Sequence, residues 1–193
     1  IPGLMSFAIA VDAYDNWRHK THPDRFKAGY DLNTLFWKYG YRDFQKRFDY
    51  DARMNWNSKE QKWLDQHKED RDKALDESDR NDFGENSLVV VGAPSGHIND
   101  YGLVYPEYDN FFLIYPTVEG KLSLSVRTNR NDVNVGKALS NAKRNNPHVR
   151  NAGGHAEAGG MHFVDEDVEL DTILDIIEDV NNELEGKEVD IPF

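Results

Sequence analysis

Residues 121–163 read KLSLSVRTNRNDVNVGKALSNAKRNNPHVRNAGGHAEAGGMHF, and this stretch decides the fold. Lys121 to Arg127 alternates apolar and polar residues with a period of two, as a half-buried strand does. Val133 to Lys143 follows with helical spacing, and Asp132 stands where an N-cap belongs. Asn151 to Gly160 then holds four glycines around His155. Met161-His-Phe-Val164 closes the stretch as a further strand. Strand, helix, glycine segment and strand in this order describe a mixed α/β domain.

The glycine segment also carries chemistry. Glycine lets backbone come close to a ligand, and successive backbone N–H groups in a turn form a concave anion site. A histidine at the centre adds a donor that can be cationic near neutral pH. The charge pattern agrees with an anionic ligand. Net charge is −12 over 193 residues, yet Lys121, Arg127, Arg130, Lys137, Lys143, Arg144 and Arg150 face a single acid, Asp132, within residues 121–155. This basic island leads into the glycines and would steer an anion to them.

Outward from this stretch the rest of the domain takes shape. Leu88 to Val91 and Phe111 to Tyr115 read as strands, and Glu119-Gly120 as the hairpin turn before the strand at 121–127. Asp171 to Leu184 reads as an amphipathic helix. Toward the N-terminus, residues 57–82 read as one long charged helix capped by Asn57 or Ser58, thin in apolar residues and suited to link two lobes. Residues 29–50 are rich in aromatics at helical spacing, which marks core. Pro23 reads as a loop break, and residues 4–11 as a buried strand or helix end followed by a polar loop. The expected architecture is therefore a C-terminal domain with a central mixed sheet flanked by helices, preceded by a mainly helical segment.

Composition excludes several function classes. The chain has no cysteine, which removes disulfides, thiol nucleophiles and thiolate metal sites. No apolar run approaches the roughly 18 residues of a membrane helix, and the apolar start over residues 1–11 lacks a basic flank and does not read as a signal peptide. A cytoplasmic protein is the expectation. The apolar start, if exposed, would favour association, for instance as a homodimer.

Across residues 88–184, Ser123-Leu-Ser-Val-Arg127, the helix with Val133 and Ala138, and Gly153-Gly-His155 with Ala158 and Gly159 resemble the DHH-associated domain. That domain is the substrate-binding half of DHH phosphoesterases, which include RecJ-type exonucleases, oligoribonucleases and cyclic-dinucleotide phosphodiesterases. Val11-Asp-Ala-Tyr-Asp-Asn-Trp17 resembles the last acidic segment of the catalytic DHH domain. The resemblance implies residues 1–56 as the end of that catalytic domain, 57–85 as a charged linker helix and 86–193 as the DHH-associated domain. It implies a hydrolase that binds single-stranded oligonucleotides or dinucleotides. Gly153 and Gly154 would cradle a phosphate through their amides, and His155 would act catalytically, on a phosphate oxygen near the scissile bond. Arg127 would grip the same or the next phosphate, with Arg130, Asn151 and His97 as weaker candidates. Either Asp12 or Asp15 would be a ligand of Mn²⁺ or Mg²⁺. The Asp-His-His motif and the other metal-binding motifs of the family are not in the sequence, so they are expected in a segment before Ile1. The chain alone is accordingly expected to hold no metal stably and to be inactive. The alternatives are a non-catalytic nucleic-acid-binding module and a tRNA-synthetase-type accessory domain.

Overall fold

The structure is a computed structural model, and residues 1–164 and 168–186 are described. The chain divides into two compact units between Asp76 and Glu77. Among the described residues no helix is long and apolar enough to cross a membrane.

The first unit is helical. Helices α1 (Leu4–Asp15), α2 (Pro23–Tyr39), α3 (Tyr41–Phe48) and α4 (Ser58–Asp76) make it up. The apolar start is helix, not strand, and Pro23 opens α2 at its first turn, where a missing N–H costs nothing. Ile1, Leu4 and Met5 are exposed. Helices α1 and α2 approach closely at Gly29, where a Cβ would come within 2.2 Å of the Ala10 carbonyl oxygen. The aromatics of residues 29–50 pack a core only in part: Phe44 and Phe48 join Phe7, with ring centroids 4.8 to 6.3 Å apart, while Trp37, Tyr41 and Tyr50 are exposed.

Helix α4 ends at Asp76 and is no free-standing linker. Its first turn is tied into the unit by Glu60, which is fully buried. Glu60 accepts from Arg47 Nε at 2.6 Å, from the Tyr39 hydroxyl at 3.0 Å and from the Asn57 amide at 2.7 Å. Asn57 Oδ1 in return accepts from the Lys59 and Glu60 amides. This reciprocal cap makes Asn57 the start signal of the helix.

The second unit is a mixed six-stranded sheet in the order β1-β2-β3-β4-β6-β5. The strands are β1 (Asp79–Phe83), β2 (Ser87–Val91), β3 (Asn110–Pro116), β4 (Leu122–Thr128), β5 (Val149–Gly154) and β6 (Ala158–Phe163). A 3-10 helix (Ser95–Asp100) and the short α5 (Tyr101–Val104) connect β2 to β3, which run parallel; all other pairs are antiparallel. Helices α6 (Val135–Asn145) and α7 (Leu170–Glu185) pack on one face over Phe112, Ile114, Leu124, Val126, Met161 and Phe163.

Three expectations change here. Residues 79–83 are an edge strand rather than helix; their polar, exposed side chains give no strand pattern. The N-cap of α6 is Asn134, whose Oδ1 accepts from the Lys137 amide at 2.8 Å, because Asp132 is occupied by Arg130. The glycines are strand residues rather than turn residues. Gly153 and Gly154 end β5, Gly159 and Gly160 lie in β6, and the turn between the strands is made by Ala156 and Glu157.

Candidate functional site

The register of three strands builds the site. Residues directly opposite in an antiparallel pair share a face of the sheet. Arg127 faces Ala158, Ser125 faces Gly160 and Ser123 faces His162. On the far side of β6, Gly160 faces Gly153 and His162 faces Asn151. The His155 amide donates to the Ala158 carbonyl at 2.7 Å and extends the pairing by one step. The face turned away from α6 and α7 therefore carries three rows: Arg127, Ala158 and His155; Ser125, Gly160 and Gly153; Ser123, His162 and Asn151. The middle row has almost no side chain. It forms an open floor with a cation and an imidazole at one end. Arg127 and His155 are two strands apart, about 10 Å between Cα atoms at normal strand spacing.

Arg127 is oriented rather than loose. Its Nε donates to Asn99 Oδ1 at 3.0 Å and one terminal NH₂ group donates to the Val126 carbonyl at 2.9 Å. Asn99, from the 3-10 helix, is a positioning residue that carries no recognisable sequence pattern. His155 and Asn151 are exposed.

The two glycine amides do not behave alike. Antiparallel ladders alternate paired and outward-facing residues. With His155 paired to Ala158, Gly153 is turned toward β6, and Gly154 is turned to the outer edge of the sheet.

The glycines also have a packing role. A Cβ on Gly136 would sit 2.4 Å from the Gly154 carbonyl oxygen, one on Gly154 2.2 Å from that of Ala158, and one on Gly159 2.5 Å from Leu139 Cδ1. These contacts let the first turn of α6 lie directly on the hairpin. Its amides are used there: Val135 N donates to Ala156 O and Gly136 N to His155 O, each at 2.9 Å. The helix N-terminus thus holds the backbone of His155 in place and presents no anion site of its own.

The remaining candidates fall elsewhere. Arg130 grips Asp132 through two bonds, at 3.0 and 2.7 Å, and donates to the Leu184 carbonyl at the end of α7. This hydrogen bond to Arg130 holds the Asp132 carboxyl below its usual range. His97 lies 2.7 Å from Asp100 within its own 3-10 turn. His162 lies on the polar face, as its alternation with Met161 and Phe163 requires.

Asp12 and Asp15 lie on the last turn of α1, both exposed. The Asp12 carboxylate is engaged by Arg18 at 2.7 Å and by Asn16 Nδ2 at 2.9 Å. Neither aspartate joins a group of three carboxylate or imidazole ligands among the described residues. A two-metal centre needs several convergent ligands, and these residues do not fit one by themselves.

No protein-family model and no curated protein sequence matches the chain. Solved structures do. A DHH domain from a member of a family of ribosomal proteins aligns over 91% of this chain and 45% of its own, with 14% identity and a TM-score of 0.52. A pGpG-specific phosphodiesterase from Vibrio cholerae aligns over 66% of this chain and 44% of its own, at 13% identity and a TM-score of 0.45. An uncharacterized protein from Helicobacter pylori aligns over 93% and 59%, at 14% identity and a TM-score of 0.35. The chain spans about half the length of the first two. The first likeness shows the fold: this chain shares the architecture of a DHH-domain protein.

Proposed function

We propose that this chain is the substrate-binding half of a DHH-type metal-dependent phosphodiesterase, acting on short single-stranded oligonucleotides or dinucleotides. One observation carries the reading: Arg127 and His155 stand at the two ends of one cross-strand row, beside a floor that Gly153 and Gly160 keep clear. A phosphate placed there meets the planar fork of an arginine and an imidazole. The sugar and base lie over the glycines without steric conflict. The shared fold with a DHH-domain protein supports this reading.

Within it, Arg127 binds and orients the phosphate, and His155 donates a hydrogen bond to an oxygen next to the bond that is cut. Paired Mn²⁺ or Mg²⁺ ions, when bound, supply the attacking hydroxide in such enzymes. Asp12 and Asp15 alone do not make that centre, and no step is assigned to them.

The test is binding of a 5′-phosphorylated trinucleotide to the chain and to its His155→Ala and Arg127→Ala variants. Hydrogen bonds to charged groups contribute about 1.5–3 kcal/mol each, so each variant is expected to bind roughly 10- to 100-fold more weakly with an unchanged melting temperature. Undiminished binding by both variants refutes the site. Mn²⁺ added to the chain alone is expected to give no hydrolysis; clear metal-dependent turnover would refute the division of labour.

A further inference from the structure

The polar face continues beyond Asn151 and His162. Along β4 the alternation that places Arg127, Ser125 and Ser123 on this face brings Lys121 to it as well, one residue before the strand begins. Ser123 Oγ and His162 Nδ1 are 2.8 Å apart, which fixes the imidazole on the sheet. On β5 the ladder slips. Val149 faces Phe163 while Asn151 faces His162, so Arg150 is an extra residue. In a regular strand Arg150 would alternate with Asn151 and turn to the core side. A bulge re-aims such a side chain, and here Arg150 lines a groove of about 330 Å³ together with Lys121, Ser123 and His162. Thr117 lines the same groove, and its buried Oγ1 has no hydrogen-bond partner among the described residues. Among the described residues Glu119 is the one acid of the lining.

The groove begins four residues along the sheet from the row of Arg127 and His155, at Ser123 and His162, and reaches six residues along at Lys121. That is about 13–20 Å at strand rise, more than one backbone step of a nucleic-acid strand spans. The phosphates of a dinucleotide are one such step apart. They cannot occupy both places.

We propose that this groove is a second phosphate subsite, and that the chain's ligand is a linear single strand longer than a dinucleotide, spanning the glycine floor. Lys121 and Arg150 hold a downstream phosphate, and the Thr117 hydroxyl and His162 add donors beside it. The proposal rests on the phosphate reading of Arg127 and His155 and names the substrate class of that same face.

The experiment is fluorescence anisotropy with 5′-phosphorylated oligomers of two to eight nucleotides on the full chain. It compares wild type, the Lys121→Ala/Arg150→Ala pair, and a Lys143→Ala/Arg144→Ala pair on α6 as a charge control. Wild-type affinity is expected to climb at least tenfold between two and about five nucleotides and then level off. The Lys121/Arg150 pair should lose that climb, at least tenfold on the pentamer, while binding the dinucleotide as wild type does. Its salt dependence on the pentamer should fall by about 1.4 in log–log slope, two contacts at about 0.7 each. The α6 pair should weaken the pentamer by less than about threefold, as the loss of distant steering charge does. Equal losses on dimer and pentamer, no loss on either, or the same loss from the α6 pair overturns the subsite. Wild type that binds no oligomer of any length overturns the phosphate reading itself, and the subsite with it.

Discussion

Gly136→Ala should destabilise the second unit, although alanine is the better helix former. At an exposed helical position the change gains about 0.5–1 kcal/mol. Here the added Cβ would stand 2.4 Å from the Gly154 carbonyl oxygen and 2.8 Å from its carbon, both rigid backbone. The helix must move off the hairpin by roughly an ångström. That strains the Val135–Ala156 and Gly136–His155 hydrogen bonds, both 2.9 Å long. Two such bonds are worth about 2 kcal/mol net, and overpacking adds about 1–3 kcal/mol. Subtracting the propensity gain leaves about 2–4 kcal/mol of destabilisation. For a unit of this size the melting temperature should fall by on the order of 10 °C. The assay is thermal and urea unfolding of Gly136→Ala beside Gly96→Ala, where an added Cβ meets nothing within 4 Å. The same variant should weaken trinucleotide binding, because the displaced segment carries His155. A Gly136→Ala protein as stable as wild type would refute the account of the glycines as packing residues that position the site.

Three further outcomes follow from the same structure. His19 is buried against Trp17 and Phe26, with ring centroids 4.8 and 5.5 Å away; burial lowers its pKa from 6.5 to about 4. Its contribution to stability is therefore present above pH 6.5 and lost as pH falls toward 4, about 3 kcal/mol in all. Asp31 is shifted upward, chiefly by burial, and works in the opposite direction. Tryptophan-monitored melts of wild type and His19→Phe should thus diverge across that window, and parallel curves would show the ring to be solvated. Glu60→Ala leaves Arg47 without its buried partner and removes the Glu60 half of the reciprocal α4 cap; urea unfolding should show a loss of about 3–5 kcal/mol, and a loss below about 1 kcal/mol would show the ion pair to be dispensable. Asn110→Ala opens a buried network in which Asn110 accepts from Thr128 Oγ1 at 2.7 Å and donates to Ser87 Oγ at 3.1 Å. It should cost about 2–3 kcal/mol in urea unfolding, and a neutral effect would place water in the network.

Much of the second unit could be read directly from the sequence. Strands β2 and β3 read as continuous apolar runs and are buried on both faces, β4 alternates, and helix α7 shows the 3.6 period; the turn at Glu119-Gly120 was marked by its residue pair. The alternation Lys121-Leu-Ser-Leu-Ser-Val-Arg127 displayed the polar face of β4 before any fold was known. The cap of α4 was legible as Asn57 or Ser58, whose side chains both compete for nearby amides; the structure selects Asn57. Strand β1 was not legible, since an edge strand with exposed polar side chains has no hydrophobic period to show. Strand β5 was hidden for a different reason: Ala152, Gly153 and Gly154 offer little or no side chain to form a pattern.

By itself the sequence determined which residue types could meet an anion: Arg127, His155, a run of glycines and a basic island ahead of them. Tertiary structure decided what those glycines are for and which residues they join. Only the pairing of β4, β6 and β5 sets Arg127 and His155 in one row. Only the close seat of Gly136 on Gly154 shows packing, besides ligand approach, as a reason for missing side chains. Only the bulge brings Arg150 to the groove. The physical reason is common to all three. Register and bulges arise from hydrogen bonds between segments distant in sequence, and a one-residue slip turns a side chain to the opposite face of the sheet.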